Sequence, residues 1–333
     1  MHIPDGFLSP AVALATGAAA AGGVGVSLIR TRGALADRTA PLMGMMAAFV
    51  FAAQMVNFPV PGATSGHLLG GVLAAAALGP WAGMLVIAVV LAVQALLFAD
   101  GGITALGANV LNMAVIGSGL GYMLYAPVRR MVGGPAGVVA GGVIAAWFSV
   151  QVSALACAAE LALSGEFGLP AVLNALLLSH VWIGLGEAAI TGLALSSLVA
   201  TRPDLIYDPD RADGAPTGTV LGGAAGAMQF AAAGLAAALV IGVFLSPFKS
   251  TFGDGLEVAA ESLGLEEVAV WTWSPMPGYW EPDEDADEPP PVWRTTSVAG
   301  GIGTLATGAI AFGLAFGVAR RGARHGAVVA AKG

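Results

Sequence analysis

Between Arg38 and Asp100 the chain carries no lysine, arginine, aspartate or glutamate. Two further uncharged stretches separate Asp100 from Arg129 and Arg130 from Glu160. A membrane span takes roughly 20 apolar residues, and in hydrocarbon each backbone polar group must find its partner within the protein. These runs therefore predict an all-α polytopic membrane protein.

Composition agrees with that expectation. Of 333 residues, 57% are hydrophobic and 10% are charged, and the mean hydropathy is +0.82. Soluble domains carry about 25% charge, so a soluble enzyme and a disordered chain are excluded. The net charge of -8 argues separately against a nucleic-acid binder. The single cysteine, Cys157, lies inside an apolar run, so neither a disulfide framework nor a thiolate cluster is expected. The opening MHIPDGFLSP has no basic segment and does not read as a cleavable signal peptide. Met1 is accordingly expected in the mature chain.

The apolar runs predict membrane helices over 8–30, 40–57, 80–99, 104–125, 134–163, 170–199, 220–246 and 297–319. A shorter run, 67–78, counts as a further helix with His67 in its first turn. Seven helices thus precede residue 200 and two follow it. With the N-terminus outside and every helix crossing, 11 of the 13 basic residues face the cytoplasm, all but Lys249 and Arg294. The positive-inside tendency selects this orientation, in a plasma membrane with the C-terminus cytoplasmic.

The chain is expected to divide into a seven-helix unit, 1–200, a polar cytoplasmic linker, 201–219, and a two-helix unit, 220–333. The last unit holds an extracytoplasmic loop, 247–296, with 11 of the chain's 21 acidic residues. Such a run is most simply a solvated linker; alternatively, it concentrates cations by electrostatic steering.

Donors for late transition metals gather on the outer side. The terminal amine of Met1, the backbone nitrogen of His2 and its imidazole Nδ1 can chelate one ion through fused rings. Tetragonal nitrogen coordination suits Ni(II) or Cu(II). His67, in NFPVPGATSGHLLGG, falls on the same side and favours a metal site in a chain with four histidines. His180 and Glu187 lie seven residues apart on one helical face. Ionisable groups in membrane helices face protein interior, and a role supporting the metal ligands is favoured for this pair.

Four segments carry a resemblance: MHIPDGFLSP, QMVNFPVPGATSGHLLGG at 54–71, FADGGITALGANVLNMA at 98–114 and HVWIGLGEAAIT at 180–191. Together they resemble the CbiM/NikM family, the substrate-binding membrane components of cobalt and nickel energy-coupling-factor transporters. GDGLEVAAESLGL at 253–265 resembles the small CbiN/NikN accessory component, with Gly253 where the signature has proline. The resemblance implies a seven-helix fold with the N-terminal segment plugged into the outer cavity. It also implies metal held by Met1, His2 and His67, while Asn57, Thr64, Ser65 and His180 orient the loops. No GxxxxGK[ST] motif is present, so a transmembrane coupling subunit and cytoplasmic ATPases are expected as partners. The expected protein is a transporter component, not an enzyme, without a cofactor of its own. Its substrate is Ni(II) or Co(II), with nickel favoured by four-nitrogen geometry and by the affinity order. The alternative is a passive divalent-cation channel with the acidic loop as vestibule. A channel spreads weak sites along a pore, whereas these donors sit at one end.

Overall fold

The computed structural model describes residues 1–32, 39–165, 168–208, 223–264, 274–276 and 292–330. Helices occupy the predicted stretches: α1 Pro10–Thr31, α2 Thr39–Gln54, α3 Gly71–Leu78, α4 Pro80–Phe98, α5 Leu106–Val132, α6 Gly134–Leu163 and α7 Leu169–Thr201. In the C-terminal part, α8 is Gly223–Val240, extended by a π-helical turn Ile241–Leu245, and α10 is Val292–Ala330. Between them, α9, Gly255–Leu263, lies in the segment expected to be linker. The acidic run 281–288 and most of the predicted cytoplasmic linker lie outside the described residues.

Seven of these helices are long and apolar enough to cross a membrane: α1, α4, α5, α6, α7, α8 and α10. The chain is thus a multi-pass helical membrane protein. Proline in the first turn starts α1, α4, α6 and α7, where its missing N–H costs no hydrogen bond. Helix α2 is apolar on all sides and exposes none of its residues, so it stands at the centre of the bundle.

The expectation for 67–78 needs correction. His67 is not in a helix. A short hairpin, β1 Phe58–Val60 against β2 Thr64–Gly66, leads into a buried non-helical stretch, and α3 begins only at Gly71. At the other end of α3 the Ala76 carbonyl accepts from Tyr207 N, just beyond α7. This stretch and α3 therefore carry the chain from the hairpin end of the bundle to the far end. Non-helical backbone at membrane depth must be satisfied by protein, and here it is. Leu69 and Gly70 donate to the Glu187 carboxylate at 2.5 and 2.9 Å, and Leu69 O accepts from Gln54 Nε2 at 2.9 Å. Gln54 is held in turn by Gln94 Nε2 at 2.8 Å, on a π-helical turn of α4.

Helices α8 and α10 pack on α2 and on each other through small residues. A Cβ at Gly44 would lie 2.9 Å from the Gly308 carbonyl, and one at Gly300 would lie 1.7 Å from that of Gly242. Close backbone approach of this kind drives association where lipid is as apolar as the side chains.

Candidate metal site

The first five residues are pinned to the bundle. Asn109, on α5, brackets Ile3, its Oδ1 accepting from Ile3 N at 2.8 Å and its Nδ2 donating to Ile3 O at 3.1 Å. Gly102 N also donates to Ile3 O at 2.8 Å. The Asp5 carboxylate accepts from Ile103 N at 3.1 Å, from Thr104 N at 2.7 Å and from the Thr104 hydroxyl. Close approach explains the glycines here, since a Cβ at Gly102 would sit 2.4 Å from Asp5 N. Ile3 and Phe7 fill apolar space behind this network, and Met1 and His2 are buried as a result.

That burial brings the terminus to His67. The His2 and His67 rings lie 5.2 Å apart, edge to face at 68°. His67 Nδ1 donates to the Leu68 carbonyl at 3.0 Å, which leaves the Nε2 lone pair available to a metal. His2 Nδ1 donates to Asp100 at 2.5 Å, while its buried Nε2 has no hydrogen-bond partner. Chelation through Nδ1 therefore requires the ring to leave Asp100. The Met1 amine donates to Asp254 Oδ2 at 2.6 Å. Burial lowers the pKa of this amine, but the Asp254 carboxylate outweighs it and raises the value above the ordinary one. Conversely, burial raises Asp254, yet the ammonium holds its carboxyl well below the usual range.

A cavity of about 10 Å³, lined by Met1, His67, His180 and Asp254 among others, lies between these groups, at the lower limit of the space one water or one ion needs. His180, buried on α7, donates Nδ1 to the Leu176 carbonyl at 2.7 Å, so its Nε2 also keeps a lone pair. Among the described residues no three His, Cys, Asp or Glu side chains form a ready metal cage. The candidate donor set depends on the chain terminus.

Asn57, Thr64 and Ser65 all meet one segment, 250–254. The Asn57 carbonyl accepts from Ser250 N at 2.9 Å, and Ser65 N donates to Gly253 O at 2.8 Å. The Thr64 hydroxyl donates to Gly253 O at 3.1 Å and the Ser65 hydroxyl to Phe252 O at 2.8 Å. Ser65 and Asp254 form a parallel bridge.

Sequence reasoning did not single out Asp100, Asn109 or Asp254. An Asp-Gly-Gly turn and an asparagine in an apolar helix were the available signals for the first two. Glu187 now has a definite contact, clamping the stretch after His67. Glu187→Ala is expected to orphan two buried N–H groups, at a cost of about 1–3 kcal/mol each, and to lower both thermal stability and metal affinity. Thermal unfolding in detergent checks this; an unchanged midpoint would refute the clamp.

Comparison with known proteins places the chain. The profile described as the cobalt uptake substrate-specific transmembrane region, CbiM, matches residues 2–205. The chain belongs to the CbiM family. A PDGLE domain matches residues 228–320, so a CbiM region and a CbiN-like region share one polypeptide. A protein of Archaeoglobus fulgidus, provisionally named a fused nickel transport protein NikMN, is 37% identical over 94% of this chain and 98% of its own length. The fused nickel transport protein NikMN of Rhodobacter capsulatus is 37% identical over 65% of this chain and 66% of its own. A crystal structure of a truncated transition metal transporter matches with TM-score 0.55 at 35% identity, covering 60% of this chain and 99% of that one. A CbiM-family member is a transport component, not an enzyme.

Proposed function

We propose that this protein is the substrate-capture component of an energy-coupling-factor importer of Ni(II) or Co(II). The metal is held by the Met1 amine, the His2 amide nitrogen and imidazole, and His67 Nε2. The carrying observation is the burial of the chain terminus beside His67, with the two imidazoles 5.2 Å apart. A solvated terminus has no reason to be threaded between helices and fixed by Asn109, Asp5 and Gly102. Nickel is favoured over cobalt because four nitrogens in a plane suit it and its affinity is higher. The names of the nickel-transport relatives point the same way.

The charge count supports an orientation with the N-terminus and hairpin outside the plasma membrane and the far end of the bundle in the cytoplasm. The chain divides near residues 200 and 220 into a metal-binding unit and an accessory unit. Transport is powered by a transmembrane coupling subunit with cytoplasmic ATPases, as no phosphate-binding loop occurs in the sequence. Metal uptake by cells with the chain alone, and with coupling subunit and ATPases added, tests this. Uptake that requires the added subunits and ATP supports it. Uptake by the chain alone without ATP would identify a channel.

Deleting 281–288 is expected to slow uptake at low metal and low salt while leaving equilibrium affinity unchanged. Steering acts on encounter and is screened over about 8 Å at physiological ionic strength. A tenfold loss of affinity in a binding titration would show instead that the acidic run supplies ligands.

A further inference from the structure

The pair Met1–Asp254 joins positions 253 apart in the chain. One partner abuts the CbiM region, and the other belongs to the segment matched by the PDGLE domain. Asp254 gives its two oxygens different tasks. Oδ1 caps α9, accepting from Leu256 N at 2.7 Å and Glu257 N at 2.8 Å, while Oδ2 faces Met1 N at 2.6 Å. Capping alone does not demand a charge, since asparagine or serine serves as well. The terminal amine is what calls for a carboxylate. The contact is also well sheltered, the Met1 and Asp254 side chains being 1% and 18% exposed.

We propose that Asp254 is a positioning residue of the metal site, supplied by the PDGLE segment, and that it couples metal loading to the docking of that segment. It rests on the terminal amine being a metal ligand, as proposed above. A primary amine bound to a metal keeps two N–H groups, so one can go on donating to Oδ2. Loading then does not displace Asp254. The ammonium and the His2 amide each give up one proton to solvent as the divalent ion binds, so the site keeps a net single positive charge. The carboxylate keeps both a cation and an N–H donor to hold in place. Carboxylates that hold metal ligands in place act in this way. The parallel bridge from Asp254 to Ser65, two residues before His67, ties the same segment to the lead-in of the second ligand. Since coupling is reciprocal, metal that is bound more tightly with the segment docked must itself tighten the docking.

The test uses the full purified chain with Ni(II) alone as probe. Asp254→Asn keeps a good helix cap and removes the charge facing Met1. It is expected to weaken Ni(II) binding about 10- to 100-fold, with the ligand-field spectrum at saturation unchanged. In the wild type, Ni(II) should slow amide hydrogen exchange at Ser65 and over 250–263; in Asp254→Asn it should not. Glu257→Gln removes a neighbouring charge and keeps its acceptor for Asp254 N, and should bind near the wild-type level. Wild-type or higher affinity in Asp254→Asn would overturn the proposal, as would Ni(II) speeding exchange over 250–263. A changed spectrum at saturation would overturn it by making Asp254 a direct ligand. An equal loss in Glu257→Gln would overturn it by reducing the effect to general negative charge. His67→Ala, run alongside, separates the two levels. Retained binding there refutes the four-nitrogen site itself. Lost binding there, with Asp254→Asn unaffected, refutes only the role of Asp254.

Discussion

His67→Ala is expected to remove high-affinity metal binding while the helical bundle stays folded. Losing His67 leaves at most three of the proposed four nitrogens, and truncation to alanine offers no replacement donor. The imidazole is 7% exposed and packs against His2, so the alanine variant also leaves a void. His67→Gln fills more of that space and separates the two effects. Both variants should lose metal, whereas only the alanine variant should show a lowered unfolding midpoint. Equal metal retention in folded mutant and wild type, measured by elemental analysis, would remove His67 from the site.

Insertions at the chain terminus should have effects as large, and of a more specific kind. A leucine inserted between Met1 and His2 yields Met-Leu-His, because initiator methionine persists before a bulky residue. The imidazole then stands one position farther along, and a single chain segment can offer amine, two amides and imidazole. That variant should bind metal without His67 and fail to transport it. Its added residue must also find room where Met1 is now buried against Asp254 and Ile3 is fixed by Asn109. With alanine inserted, the initiator methionine should be removed to leave Ala-His, which restores the spacing and sacrifices only the buried Met1 side chain. Transport by this variant should be close to normal. Mass spectrometry of the mature terminus must accompany the uptake assay. Equal transport by extended and trimmed termini would show that the terminal amine is no ligand.

The membrane helices were legible from run length alone, because hydrocarbon leaves a long uncharged segment little choice but helix. What local sequence could not show is where 67–78 becomes helical. That boundary depends on Glu187 and Gln54, which are 118 and 15 positions from the Leu69 groups they satisfy. Without them the same apolar residues read as helix throughout. Helix α9 was legible in principle. Asp254 and Glu257 form a capping box, and Gly264 closes the helix in the left-handed region, a pattern recognisable three residues apart. It was obscured by the acidic composition around it. The candidate ligands stood out as histidines in a chain poor in them. Their carboxylate partners did not, since Asp100 and Asp254 lie 98 and 253 positions from the residues they hold.

The central claim, that one metal ion is held by nitrogens from the chain terminus and His67, is tested most directly by X-ray absorption on nickel-loaded protein with an unmodified N-terminus. One nickel per chain in a square plane of four nitrogen donors is the predicted result, with two imidazoles among them, and no such centre retained in His67→Ala. A six-coordinate, oxygen-rich shell, or a spectrum indifferent to both His67→Ala and acetylation of the terminus, would contradict it.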